Sequence, residues 1–143
     1  MTTEAAPYYL PPGLPAPAIT ELDRAFWEGA RDGKLLVQAC AACDTVQWPP
    51  EEICGACHST NRTWRQASGR GTVFSWSRIW HPVHPALHGH APYIALVVRL
   101  DDFPVLMIGN LLGDPAQEVV IGSPVCANFE DHGHYGLVQW RAG

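Results

Sequence analysis

Lysine is almost missing from this 143-residue chain, which has only Lys34. Nine basic residues face fourteen acidic ones, for a formal net charge of −5. No basic tail is present to gather a polyanion. Long apolar runs are missing too. The longest, Tyr93-Ile94-Ala95-Leu96-Val97-Val98, has strand length and falls far short of the roughly twenty residues of a membrane helix. The start, MTTEAAPYYL, lacks the positive charge and apolar core of a secretory signal. A cytoplasmic location is therefore expected, with no membrane partner and with thiols kept reduced. An odd cysteine count, five, argues against a closed disulfide framework.

Charged residues are scarce at 16%, against 47% hydrophobic, as in a folded globular chain. A domain of this size buries roughly two-thirds of its unfolded surface, enough for a core without disulfides. Glycine and proline, thirteen each, favour short strands and turns over long helices.

Acids are absent from Ile53 to Leu100, a stretch that holds Arg62, Arg65, Arg70, Arg78 and Arg99 and five of the seven histidines. Residues 1–52 carry eight acids against three bases, and residues 101–143 six against one. A cationic stretch in an acidic protein points to an anionic ligand or an acidic partner. The same arginines scattered over the fold would simply be solvated.

Four of the five cysteines stand in CAACDTVQWPPEEICGACHS as C-x2-C-x10-C-x2-C. That spacing matches a site where tetrahedral zinc takes four thiolates, here from Cys40, Cys43, Cys54 and Cys57. Gly55 and the small Ala41-Ala42 pair suit the two tight knuckles, and Pro49-Pro50 suits the reversal between them. Iron accepts the same ligands, so spacing leaves the metal open between the two. Four cysteines saturate a tetrahedral ion and leave no place for substrate, which makes the site structural. His58, next to Cys57, is a competing ligand for a set already complete. Cys126, between Val125 and Ala127, reads as a small buried hydrophobe.

Residues 1–18 include PYYLPPGLPAPA and should be extended, a tail or a strap laid on a partner through Tyr8, Tyr9 and Leu10. Thr20 and the acids after it start a helix over about 20–31, with Ile19, Leu22, Phe26 and Trp27 at helical spacing and Gly33 as its stop. Strands are expected at Lys34–Ala39, Thr45–Trp48, within TWRQAS, and at Gly71–Trp80. Further strands follow at Tyr93–Leu100, Val105–Leu112, Val119–Phe129 and Leu137–Trp140. The fold class is mainly β: an N-terminal helix, a rubredoxin-like zinc ribbon, then a five-stranded OB-fold barrel. Domain limits are 1–18, 19–65 and 66–143.

The order of helix, double Cys-x-x-Cys ribbon, GTVFSWSRIWHPVHP, PYIALVVRLDD and Gly109-Asn110-Leu111 resembles one family over about residues 19–141. Its members are small zinc-ribbon/OB-fold proteins that accompany thiolase-superfamily enzymes in acyl-CoA metabolism. The resemblance implies a non-catalytic accessory subunit in a hetero-oligomer with a thiolase, acyltransferase or steroid side-chain aldolase. It would help form or gate the acyl-CoA site of that complex, which makes or breaks carbon–carbon bonds in lipid or steroid metabolism. No Ser/His/Asp, paired-carboxylate or phosphate-loop constellation is evident in the chain.

An acyl-CoA ligand would find phosphate partners among Arg62, Arg65, Arg70 and Arg78. Apolar walls would come from Trp76, Ile79, Trp80 and Tyr93, all of which also suit a barrel core. His81 and His84, with His88 and His90 after them, form a proline-stiffened loop that packs on a partner or lines a substrate. A single-stranded nucleic-acid module is the alternative, since ribbons and OB barrels both bind such strands. The net charge and single lysine count against it. An autonomous enzyme built on the histidine loop is a third and weaker option.

Overall fold

The computed structural model describes residues 8–143. Of the proline-rich segment expected over residues 1–18, residues 1–7 lie outside the described residues. Residues 8–14 are not extended as expected but run through bends and a turn, with Gly13 at φ 96°, and the two tyrosines are held by the chain itself. The Tyr8 hydroxyl donates to the Asp131 carbonyl, and the Tyr9 N–H donates to Glu130 Oε1 at 3.0 Å.

Helix α1 spans Arg24–Arg31 and starts later than expected. Asp23 turns its carboxylate back to the Thr20 N–H (2.8 Å), so Thr20–Asp23 forms a separate turn. The C-terminal end is a Schellman closure, with Gly33 N–H on Ala30 O (3.1 Å) and Lys34 N–H on Gly29 O (2.8 Å). Gly33 there adopts φ 76°, which only glycine takes up without strain.

The ribbon is a three-stranded sheet of β1 (Leu35–Cys40), β2 (Val46–Gln47) and β3 (Arg62–Ala67), in the order β2-β1-β3. TWRQAS therefore pairs with β1 along its whole length, from Leu35↔Ala67 to Cys40↔Arg62.

The barrel is formed by β4 (Arg70–Ile79), β5 (Tyr93–Leu100), β6 (Leu106–Asn110), β7 (Pro124–Asp131) and β8 (Gly136–Ala142), ordered β6-β5-β4-β7-β8. A parallel bridge, Leu111↔Trp140, joins the two ends and closes the five strands. Strand β5 has the alternation of a sheet with one buried face: Ile94, Leu96, Val98 and Leu100 are buried, with their neighbours more open.

The strand expected over Val119–Phe129 begins only at Pro124. Gly122 at φ 90° breaks the β-branched run. Its N–H reaches Val73 O (2.8 Å), which leaves Val120 and Ile121 on the surface.

Gly109-Asn110-Leu111 makes the closure. The Trp140 ring comes within 2.7 Å of where a Cβ on Gly109 would sit. Asn110 N–H donates to Gln139 Oε1 (2.7 Å) and its amide group to Ile94 O (3.1 Å). One apolar core runs from Phe26, Leu35 and Val37 of the helix and ribbon to Ile94, Met107 and Trp140 of the barrel. Helix α1 is the joint: Gly29 lies against Leu36 of β1, and Gly136 of β8 lies against the backbone of Ala30 and Arg31.

Candidate functional site

Strand β1 ends at Cys40, so its last side chain opens the first knuckle. The sulfurs of Cys40, Cys43, Cys54 and Cys57 all lie within 4.8 Å of one another. Cys40 and Cys57 are 3.5 Å apart, and Cys43 and Cys54 3.7 Å. Zinc–sulfur bonds of about 2.3 Å in a tetrahedron require edges of about 3.8 Å, so the donor set fits such an ion.

The two knuckles repeat one geometry. Ala42 N–H points at Cys40 Sγ and Ala56 N–H at Cys54 Sγ, both at 3.4 Å. Asp44 N–H closes on Cys40 O (3.0 Å) and His58 N–H on Cys54 O (2.9 Å). The left-handed residues are Asp44 (φ 63°) and His58 (φ 64°). Gly55 does not take a positive φ, so its freedom is not what shapes the turn. His58 serves the backbone and stands outside the sulfur cluster.

Four thiols this close do not ionise alike. The hydroxyl and amide of Thr45 hold Cys43 down to about 6. The Ser59 amide favours the Cys57 thiolate, yet the Cys40 and Cys43 sulfurs push Cys57 up to about 12. A cation is what lets all four become thiolates together. Two glutamines hold the second knuckle in place. Buried Gln38 donates to Glu51 O (2.7 Å) and accepts from Gln47 Nε2 (3.0 Å), and Gln47 Oε1 accepts from Gly55 N–H (3.0 Å). Cys126 stands apart, half-buried on β7.

The arginines do not form one cluster. Arg62 and Arg65 are exposed on β3, with Arg65 3.3 Å from Asp44. Arg70 and Arg78 lie near opposite ends of β4, which at a strand's rise is roughly 25 Å. Arg78 donates to Pro115 O (2.9 Å) and Gln117 O (2.6 Å) and stacks 5.2 Å from the Trp76 ring. Its fork thus pins the loop between β6 and β7. Arg78→Ala should cost about 1–3 kcal/mol and speed amide exchange over residues 114–118. Arg78→Lys should recover only part of the loss, because a lysine lacks the fork. A thermal melt unchanged in Arg78→Ala would count against this role.

Ile79 pairs with Tyr93 at the end of the β4–β5 hairpin. Trp80 (63% exposed) and exposed His81 follow at the same end. His84 Nδ1 accepts from Ala86 N–H (3.1 Å) and so caps the short 3-10 turn Pro85–Leu87.

Two features escaped the sequence reading. Buried Glu130 bonds His132 (3.2 Å), whose ring stacks on Tyr8 at 3.9 Å and on Tyr135 at 4.9 Å. The i, i+2 spacing of Glu130 and His132 is a faint sign of a shared face, but Tyr8 comes from more than a hundred residues away. The second feature is the outward row of Leu106 and Ile108 on β6, beside half-buried Val97 and exposed Arg99 of β5.

Comparison with known proteins places these features. Residues 27–61 match the ChsH2 rubredoxin-like zinc ribbon domain, and residues 64–130 match the ChsH2 C-terminal OB-fold domain. A solved chain described as Ltp2-ChsH2(DUF35) aldolase is 32% identical, with a TM-score of 0.79, covering 89% of this chain and 98% of that one. The chain belongs to the ChsH2 family. A DUF35-family protein of unknown function from Sulfolobus solfataricus shares the fold at 13% identity and a TM-score of 0.59, with 86% of each chain covered. A probable enoyl-CoA hydratase alpha subunit from Thermomonospora curvata is 38% identical over 116 residues, which are 80% of this chain. The ChsH2-like chain spans about a third (35%) of that relative's length. Its mainly β fold, with one α-helix among the described residues, a ribbon and a closed five-stranded barrel, is the one expected from the residue pattern. Among the described residues no helix is long and apolar enough to cross a membrane.

Proposed function

We propose that this chain is an accessory subunit that binds a thiolase-superfamily enzyme and helps form or gate its acyl-CoA site. The enzyme would be of thiolase, acyltransferase or steroid side-chain aldolase type. The observation that carries the proposal is the end-to-end likeness to a chain of the Ltp2-ChsH2(DUF35) aldolase. The hydratase-subunit relative adds a link to CoA thioesters by its name. The ion is zinc in a structural role: four cysteine donors leave it no open coordination position.

The acyl-CoA phosphates would meet the exposed arginines of the acid-free segment, Arg62, Arg65 and Arg70. Trp80, His81 and Tyr93 gather at one end of the β4–β5 hairpin, where a pantetheine arm could lie between barrel and partner. Nucleic-acid binding is the weaker reading. OB folds read single strands on the face of their second and third strands, and here the corresponding β5–β6 face carries Val97, Leu106 and Ile108 with Arg99 as its one cation.

Coexpression with a thiolase-superfamily enzyme tests the proposal. The expected result is stoichiometric copurification and no thioester turnover by the chain alone. A partnerless monomer that turns over a thioester would overturn it. Tryptophan quenching by oligonucleotides at low salt would favour the nucleic-acid reading instead.

A further inference from the structure

Strand β6 has one open side. Leu100 N–H donates to Val105 O (3.2 Å) and Leu111 N–H to Ile94 O (3.1 Å), and the β5–β6 register keeps one offset between them. Antiparallel alternation then aims the N–H and C=O of Val105, Met107, Gly109 and Leu111 at β5. Those of Leu106, Ile108 and Asn110 point away from it. Asn110 N–H is taken by Gln139 of β8, and β8 meets this side from Gly109 to Leu112, beyond Ile108. Among the described residues, the backbone groups of Leu106 and Ile108 face no strand.

The side chains of these two residues are also exposed, Leu106 at 39% and Ile108 at 75%. Ile108 lies beside Val97 and Leu106 beside Arg99. The Arg99 guanidinium covers the exposed Phe74 ring at 5.2 Å. Sheet edges are ordinarily blunted by lysine, proline or a bulge, and Leu106-Met107-Ile108-Gly109-Asn110 has none of these. Among the described residues Arg99 forms no ion pair with a carboxylate. A second copy of β6 would bring it none, since the strand itself has no acid.

We propose that β6 is a strand-addition site, filled by an extended segment of the partner enzyme that lays apolar side chains on Val97 and Ile108 and a carboxylate against Arg99. The open backbone edge calls for an extended occupant, the apolar rows for alternating apolar residues, and the lone cation for an acid. This inference rests on the accessory-subunit reading above.

Hydrogen exchange on the full chain, alone and in complex with a coexpressed thiolase-superfamily enzyme, tests it. The Leu106 and Ile108 amides should exchange about tenfold or more slowly in the complex. Ile108→Lys should lower retained enzyme about tenfold or more, with the metal content and the protection of the Tyr93–Leu100 amides unchanged. Ile108→Pro, which removes only an outward N–H, should weaken retention as well. Amides 106 and 108 that exchange equally fast in the complex, or full retention by Ile108→Lys, would overturn the edge site and leave the accessory role standing. Slowing that appears without enzyme and grows with chain concentration would overturn it in favour of a second copy. A wild-type chain that retains no such enzyme would remove the accessory role and this site with it.

Discussion

Cys54→Ser is expected to empty the four-thiol centre and unfold the ribbon around it. The hydroxyl does not ionise near neutral pH, so the ion loses the thiolate that stands 3.7 Å from Cys43 Sγ, opposite the Cys40–Cys57 pair at 3.5 Å. Structural zinc contributes apparent binding energies on the order of 10 kcal/mol to small ribbons, and that energy is folding energy because the unfolded chain holds no site. Metal content should fall from about one ion per chain to almost none. The pairs from Leu35↔Ala67 to Cys40↔Arg62 should lose exchange protection. Phe26 packs its ring 4.5 Å from Trp48 of the ribbon, so the helix should loosen too. Acid should act in the same direction: protons compete for the thiolates, and metal is released as pH falls and retained toward neutrality. Elemental analysis with amide exchange checks this, and a variant that keeps its metal and protection would refute the centre.

Gly136→Ala should be nearly as damaging, far from any metal. An added Cβ would fall inside the backbone of Ala30 and Arg31, and backbone cannot rotate aside as a side chain can. The helix must back away from β8 and expose Phe26 and Ala30, both now buried. Overpacking usually costs 1–3 kcal/mol. A clash with backbone should reach about 3 kcal/mol or more, a drop of about 10 °C in melting temperature. Gly29→Ala supplies the contrast: its Cβ meets the tip of Leu36 at 2.7 Å, and that side chain can swing away, so the loss should be smaller. Equal melting of the two variants would mean that the helix does not dock on β8 as described.

Local chemistry explains why the four-cysteine cluster was legible. Each knuckle closes within five residues, through Asp44 on Cys40 and His58 on Cys54, so ligand spacing carries most of the geometry. Strand β5 was legible because period-two alternation is read within one element. Val119–Ser123 misled because its β-branched residues look like a strand, while Gly122 and its bond to Val73 belong to a turn across the sheet. Gly55 misled in a smaller way: the positive φ went to Asp44 and His58, where a backbone bond to the preceding knuckle residue holds it.

Composition and spacing alone determined an acidic, mainly β chain with a four-cysteine clasp followed by a barrel. Those features depend on residue type and on contacts a few positions apart. Only the tertiary structure decided that Arg78 is spent on the Pro115 and Gln117 carbonyls, that Tyr8 stacks on His132, and that Leu106 and Ile108 face outward along an open edge. Each of these depends on strand register or on partners tens of residues away, and register follows from how the barrel closes at Leu111 and Trp140. A one-residue slip would turn Ile108 inward and Met107 out, so the composition of β6 alone is silent on which of them the surface presents.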